Sequence, residues 1–250
     1  METLQREACF VMVPPYTKKA EKGFAMDAGQ QDKKQIERVV VFCGSKLGKN
    51  PLYAEHAERL GTLLGQNGFN LVYGGGTSGL MGLVSGAAQK SGSKVTGIIT
   101  HAFKNSAAYQ PPQGVDEMVV AMLHIRKAEM LAMADACIIL PGGIGTQDEQ
   151  WEAAALMDMQ MAEGSDAFVK PVIVLNTNGI YTPLKQQMRL LIDEGFIHPG
   201  REKMIRSVDT PEEVIAKLQA WNKEGILRAR DIPDHAAAKS GPGPSSSPAP

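Results

Sequence analysis

Strong charge of either sign is missing from this chain: 26 Lys and Arg against 27 Asp and Glu leave a formal net charge of −1 at pH 7. A protein that grips a nucleic-acid backbone carries a basic footprint, so no nucleic-acid partner is expected. No apolar run approaches the roughly 20 residues needed to cross a bilayer. "CFVMVPP" near the start is too short and too poorly flanked for a secretory signal. No membrane partner is expected. Cysteine is scarce and odd in number, with only Cys9, Cys43 and Cys137. Two of these fall inside apolar strand-like runs, where a thiol behaves as a small hydrophobe, and a cytoplasmic location fits best. The His, Cys and Asp spacings of a zinc site are absent. So is any pyridoxal phosphate lysine motif, and neither a metal nor a cofactor is expected. "GxxxxGK[ST]" occurs nowhere, which excludes a P-loop nucleoside triphosphatase.

What is present is a core and a rhythm. Apolar residues make up 43% of 250 positions, enough for one large domain or two small ones. Short β-branched runs, "RVVVFCG", "FNLVYG", "KVTGIIT", "EMVVA", "ACIILP" and "PVIVLN", alternate with segments of helical period such as "PLYAEHAERLGTLLGQNG" and "TQDEQWEAAALMDMQM". A seventh strand, "KMIRSV", precedes a last helix, "TPEEVIAKLQAW". The strands are apolar almost throughout, as expected when helices cover both faces. The expected fold class is therefore α/β: a Rossmann-like doubly wound parallel sheet of about seven strands. The domain spans 36–225, between an N-terminal extension at 1–35 and a disordered Pro/Ser-rich tail at 226–250.

Ligands of open parallel sheets sit outside the carboxyl ends of the strands, where loops converge and helix N-termini point. The glycines cluster at those ends. Gly44-Ser45 follows the first strand, Gly74-Gly75-Gly76-Thr77-Ser78-Gly79 the second, and Gly142-Gly143-Ile144-Gly145-Thr146 the fifth. His124 to Lys127 follow the fourth, although a lone histidine opening a helix is more often structural. Two of these loops feed a helix, offering free N–H groups and a positive dipole end to an anion, so a phosphate is the expected ligand group. Gly74, Gly76 and Gly79 spell G-x-G-x-x-G. The acid that a dinucleotide site needs about 20 residues on is missing, however, because "KVTGIIT" ends at Thr100-His101. A mononucleotide fits better. In the third loop, amides of 142–146 and the Thr146 hydroxyl would wrap a monophosphate and set Glu149 at the sugar. The competing reading makes Thr146 and Glu149 a T-x-x-E capping box that only satisfies helix-end amides. Met130, Met133, Met157, Met159 and Met161 have the spacing of core packing or of a helix–helix dimer contact.

The segments "VVVFCGS", "LVYGGGTSGLMGLV", "RKAEM" and "LPGGIGTQDE" closely resemble the LONELY GUY (LOG) family, whose members were long labelled lysine decarboxylases. The likeness runs from about residue 38 to about 200. It implies a Rossmann-like homodimer that hydrolyses the N-glycosidic bond of a nucleoside 5′-monophosphate, of the AMP or cytokinin riboside type, to free base and ribose 5-phosphate. Carried over by position, the resemblance makes Arg126 and Glu149 the catalytic pair and makes Lys127 and Gly143 to Thr146 substrate contacts. The residues themselves add Gly44, Ser45, Gly75, Gly76, Thr77 and Gly142 as candidate substrate contacts. The chain departs from the family pattern at Ala155, Leu156 and Asp158, where members usually carry a Thr, then a Trp and Gln beside the base, and in lacking an acid over 101–115. The alternative is a non-hydrolytic nucleotide or molybdopterin-type carrier of the same fold, which would not need an acid beside the sugar.

Overall fold

A computed structural model describes residues 34–107, 109–162, 168–198 and 205–226. The expected extension and tail lie almost wholly outside these residues. All seven strands form, at β1 Arg38–Phe42, β2 Asn70–Tyr73, β3 Val95–Thr100, β4 Asp116–Val120, β5 Ala136–Ile139, β6 Val172–Leu175 and β7 Ile205–Val208. They make one sheet, parallel throughout, in the order β4-β3-β2-β1-β5-β6-β7. The helices are α1 Leu52–Gln66, α2 Gly79–Lys90, α3 His101–Lys104, α4 Leu123–Met133, α5 Ile144–Ala162, α6 Thr182–Asp193 and α7 Pro211–Glu224. None of the described helices is long and apolar enough to cross a membrane.

The uninterrupted apolar strands explain the two layers of helices. Side chains alternate across a strand, so Val39 and Val41 face one core while Val40 and Phe42 face the other. The first core receives Leu60 and Leu64 of α1, Leu80 and Val84 of α2, and Val214 and Leu218 of α7. The second receives Met130 and Leu131 of α4, Met157 and Met161 of α5, and Tyr181 just before α6. Leu60 and Leu64 are fully buried, and each contributes about 2 kcal/mol over an exposed position. Met130, Met157 and Met161 thus pack in the core, with Met133 against it. Met159 instead points outward, with 59% of its surface exposed.

Two local details differ from the sequence reading. The turn α3 was not anticipated; its four residues carry no period to read, and it is held by Thr100, whose Oγ1 accepts the Phe103 N–H at 3.2 Å. Helix α5 begins at Ile144, two residues before the Thr146 start that the sequence suggested. The sheet order reverses direction between β1 and β5, with both neighbours of that gap leading away from it. The carboxyl ends of β1 and β5 therefore open a crevice.

Candidate active site

The crevice is built first from backbone. The Gly44 N–H donates to the Pro141 carbonyl at 3.0 Å, and the Leu80 N–H donates to the Gly44 carbonyl at 3.1 Å. The start of α2 is thereby tied to the first loop. Gly79 has a φ of +62° and lies so close that a Cβ there would sit 2.2 Å from the Ser45 carbonyl carbon. Helix α5 is placed differently. Its amide at Gln147 is the first to bond back, to the Gly143 carbonyl at 3.1 Å, and the N–H groups before it have no acceptor within the helix. Gly143, Ile144, Gly145 and Thr146 line a cleft of about 270 Å³, together with Gly44, Ser45, Arg126 and Glu149.

Arg126 and Glu149 meet inside that cleft. Arg126 Nη1 donates to Glu149 Oε1 at 3.2 Å, Nη2 to the Gly74 carbonyl at 3.2 Å, and Nε to the Ile98 carbonyl at 2.8 Å. The guanidinium is fixed by three elements at once, and its planar fork suits that task where an ammonium would not. Gly74 must be bare here, because a Cβ would lie 2.2 Å from Arg126 Nη2. Glu149 is only 9% exposed. Burial pushes its carboxyl up from 4.5 to about 7, against the opposing charge of Arg126, which pulls it down. An acid that changes protonation near neutrality is poised for proton transfer. Burial, reinforced by the charge of Glu149, pushes the Cys43 thiol well up, and burial does the same to Cys137. Both thiols are thereby held in the protonated, weakly nucleophilic form.

The capping-box reading fails on this geometry. Thr146 is the third residue of α5, and the Glu149 carboxylate accepts from Arg126. Gly142 packs under Thr146, with a Cβ at that position 2.1 Å from Thr146 Oγ1.

Of the residues singled out in the sequence, Gly44, Ser45, Arg126, Gly143, Ile144, Gly145, Thr146 and Glu149 converge on the cleft. Gly142 lies beside them, in an adjoining cavity of about 320 Å³ over Gly44 to Gly48 and Tyr53. The second glycine loop contributes less than its composition suggested. Gly75 is buried at φ +72° against Ile99, Thr77 is exposed, and Gly76 lines another adjoining cavity. That cavity, of about 320 Å³, is apolar and runs from Gly74, Met81 and Arg126 to Ile99, Phe103 and Leu123. Lys127 is not among the cleft walls. Its Nζ lies 2.8 Å from Asp148 Oδ2 and 2.5 Å from Glu152 Oε2, and these two acids push its pKa up. Gly74, Met81 and the Ile98 carbonyl were missed. A carbonyl acceptor carries no side-chain signature, though the bare position of Gly74 in the glycine run was a signal. No group of three or more His, Cys, Asp or Glu side chains among the described residues is arranged to hold a metal.

Residues 81–218 match the family profile described as "possible lysine decarboxylase". The chain is 38% identical to a cytokinin riboside 5′-monophosphate phosphoribohydrolase of Arabidopsis thaliana, over 78% of this chain and 87% of that protein. It is 37% identical to another such phosphoribohydrolase, of Oryza sativa subsp. japonica, over 76% of each chain. Among solved structures, the molybdenum cofactor binding protein of Rippkaea orientalis aligns with a TM-score of 0.54 at 23% identity, over 76% of this chain and 98% of that one. A molybdenum cofactor carrier protein of Chlamydomonas reinhardtii aligns at 0.53 and 17% identity, over 76% and 99%. At these identities the structural likeness concerns the fold alone.

Proposed function

The chain belongs to the cytokinin riboside 5′-monophosphate phosphoribohydrolase (LOG) family, and on that premise we propose that it hydrolyses the N-glycosidic bond of a nucleoside 5′-monophosphate to free base and ribose 5-phosphate. The observation that carries this reading is the Glu149–Arg126 pair, buried at 3.2 Å in the same cleft that the first turn of α5 lines. The phosphate lies against the amides of Gly143 to Thr146, with Ser45 beside it, where helix start and bare backbone favour an anion. The ribose then falls against Glu149. The base extends past Arg126 into the apolar cavity of Met81, Ile99, Phe103 and Leu123, which accommodates AMP or an adenine with an apolar N6 substituent.

In the reaction, water oxygen bonds to C1′ as the C1′–N bond breaks and its electron pair leaves with the base. Positive charge grows on the ribose ring. The Glu149 carboxylate, in its ionised form, stabilises that charge and takes the proton from water, later returning it to the base nitrogen. Arg126 sets the position of the carboxylate and keeps its ionised form accessible. Lys127, locked to Asp148 and Glu152, supports the first turns of α5 from outside the cleft.

We assign residues 36–225 as the catalytic domain, acting as a homodimer in the cytoplasm. An outward stripe on α5, of Ala155, Leu156 and Met159, supports self-association, and the free buried thiols of Cys43 and Cys137 suit a reducing compartment. The test is to incubate the protein with AMP, CMP, GMP, UMP and isopentenyladenosine 5′-monophosphate and to follow free base and ribose 5-phosphate by chromatography. Release from an adenine nucleotide, lost in Glu149→Gln with binding retained, is the expected result. Thermal stabilisation by a nucleotide without release of any base would identify a carrier instead.

A further inference from the structure

A separate cavity, of about 310 Å³, lies between α5, α6 and β7, and none of its described walls belongs to the nucleotide cleft. Three features of its lining go together. Among the described residues Lys185, Arg189 and Arg206 border it, no acidic residue does, and none of these three cations forms an ion pair. Lys185 and Arg189 stand one turn apart on α6, so their charges reinforce one another. Trp151, exposed by 37%, together with Leu184 and Met188 supplies flat and flexible apolar surface. The third feature is a polar group without a partner. Gln150 is 2% exposed, and its buried Oε1 has no hydrogen bond. A buried carbonyl left unbonded is uncommon and destabilising, and this one belongs to a side chain in the cavity wall.

We propose that this cavity is a second ligand site, for a small organic anion with an aromatic body. The anionic group meets Lys185, Arg189 and Arg206. The ring lies against Trp151, Leu184 and Met188, and a turn of the Gln150 side chain brings its Oε1 to accept an N–H or O–H of the ligand. The volume is at the lower end for ligand pockets, which limits the body to one or two fused rings. The site does not depend on the hydrolytic reading of the cleft.

The probes are indole-3-carboxylate, its neutral amide indole-3-carboxamide, and 1-naphthoate, which keeps charge and shape but has no N–H. Each is titrated calorimetrically into the full chain, with the Trp151 indole N–H followed by NMR. Indole-3-carboxylate is expected to bind and to shift that resonance, while the carboxamide binds at least about tenfold more weakly, the discrimination one good charged contact provides. The naphthoate binds more weakly by a smaller factor. Arg189→Gln/Arg206→Gln, both exposed positions, weakens the carboxylate about tenfold or more. Gln150→Leu removes the preference for indole over naphthalene while holding or raising the melting temperature, because an unbonded carbonyl is lost. Saturating AMP leaves the binding unchanged. Absence of binding at millimolar probe, equal binding of carboxylate and carboxamide, or displacement by AMP would each overturn the proposal. If Gln150→Leu does not fold, the charge series and the AMP competition still decide it, and none of these readouts requires hydrolysis.

Discussion

Substituting Glu149 by Gln should change how stability depends on pH, and by an amount the burial of the carboxyl fixes. In the folded chain burial moves this group from 4.5 to about 7, with Arg126 pulling the other way. Between those values the native state holds a proton that the unfolded chain has released. Stability from this group is fully present below about 4.5 and is lost as pH rises towards about 7. Between pH 5 and pH 8 that loss amounts to roughly 2.5 kcal/mol, because a tenfold change in proton affinity is worth about 1.4 kcal/mol. Gln fills the same space and does not titrate. Any constant effect of the substitution, including the altered bond to Arg126, cancels when the two pH values are compared. Urea unfolding of both proteins at pH 5 and pH 8, with free energies from linear extrapolation, should show the variant gaining roughly 2.5 kcal/mol on the parent as pH rises. A gap that stays constant within about 0.5 kcal/mol would mean that burial does not dominate this carboxyl. A gap moving the other way would mean that Arg126 holds it ionised, and the proposed proton chemistry near pH 7 would lose its basis.

Arg126→Met removes the charge that pulls the Glu149 pKa down, so the rising limb of kcat/KM against pH should move above about 7 while its plateau falls; an unmoved limb would separate the two residues. Two neighbouring glycines should behave oppositely. Gly142→Ala brings a Cβ within 2.1 Å of Thr146 Oγ1 and 2.9 Å of the Gly44 nitrogen, and should lower the melting temperature measurably. Gly143→Ala meets nothing within 4 Å; it should leave the melting temperature unchanged but raise KM for a nucleoside monophosphate about tenfold, by keeping phosphate from the backbone. Thr210→Ala breaks the capping box of α7, in which Thr210 Oγ1 accepts the Glu213 N–H at 3.3 Å. It should cost about 1 kcal/mol of stability without affecting turnover, as read by denaturation and by product release.

The fold was legible because the inner strands announced themselves twice. "RVVVF", "NLVY" and "VIVL" are β-branched and apolar on both faces, which requires two helical layers and so a parallel sheet. The rim followed from that class alone. What sequence could not resolve was direction within the rim. Glycine counts made the second loop look as much a phosphate cradle as the third. In the fold, Leu80 N–H is taken by Gly44 and the second loop is pressed against Ser45 and Ile99, so its glycines serve close packing. Lys127 shows a related limit. It is adjacent to Arg126 in the chain, yet one residue along a helix turns a side chain by about 100°, and Lys127 reaches Asp148 and Glu152 while Arg126 reaches Glu149.

That divergence clarifies why the acid sits where it does on α5. The helix starts at the end of the cleft where the proposed function puts the phosphate, and Glu149 is set by the rigid rise of about 1.5 Å per residue from that start. In the proposed reading, phosphate grip and sugar chemistry are thus placed by a single element. The only freedom left is rotation of α5 about its axis. Lys127 bonds Asp148 on one side of Glu149 and Glu152 one turn on, and Arg126, from the same helix α4, bonds Glu149 itself. Two consecutive cations on α4 therefore hold three acids of α5, which opposes that rotation. The Lys127–Asp148–Glu152 group stays outside the cleft and the Arg126–Glu149 pair faces it. This division explains how an R-K dipeptide serves one site although only its arginine enters it.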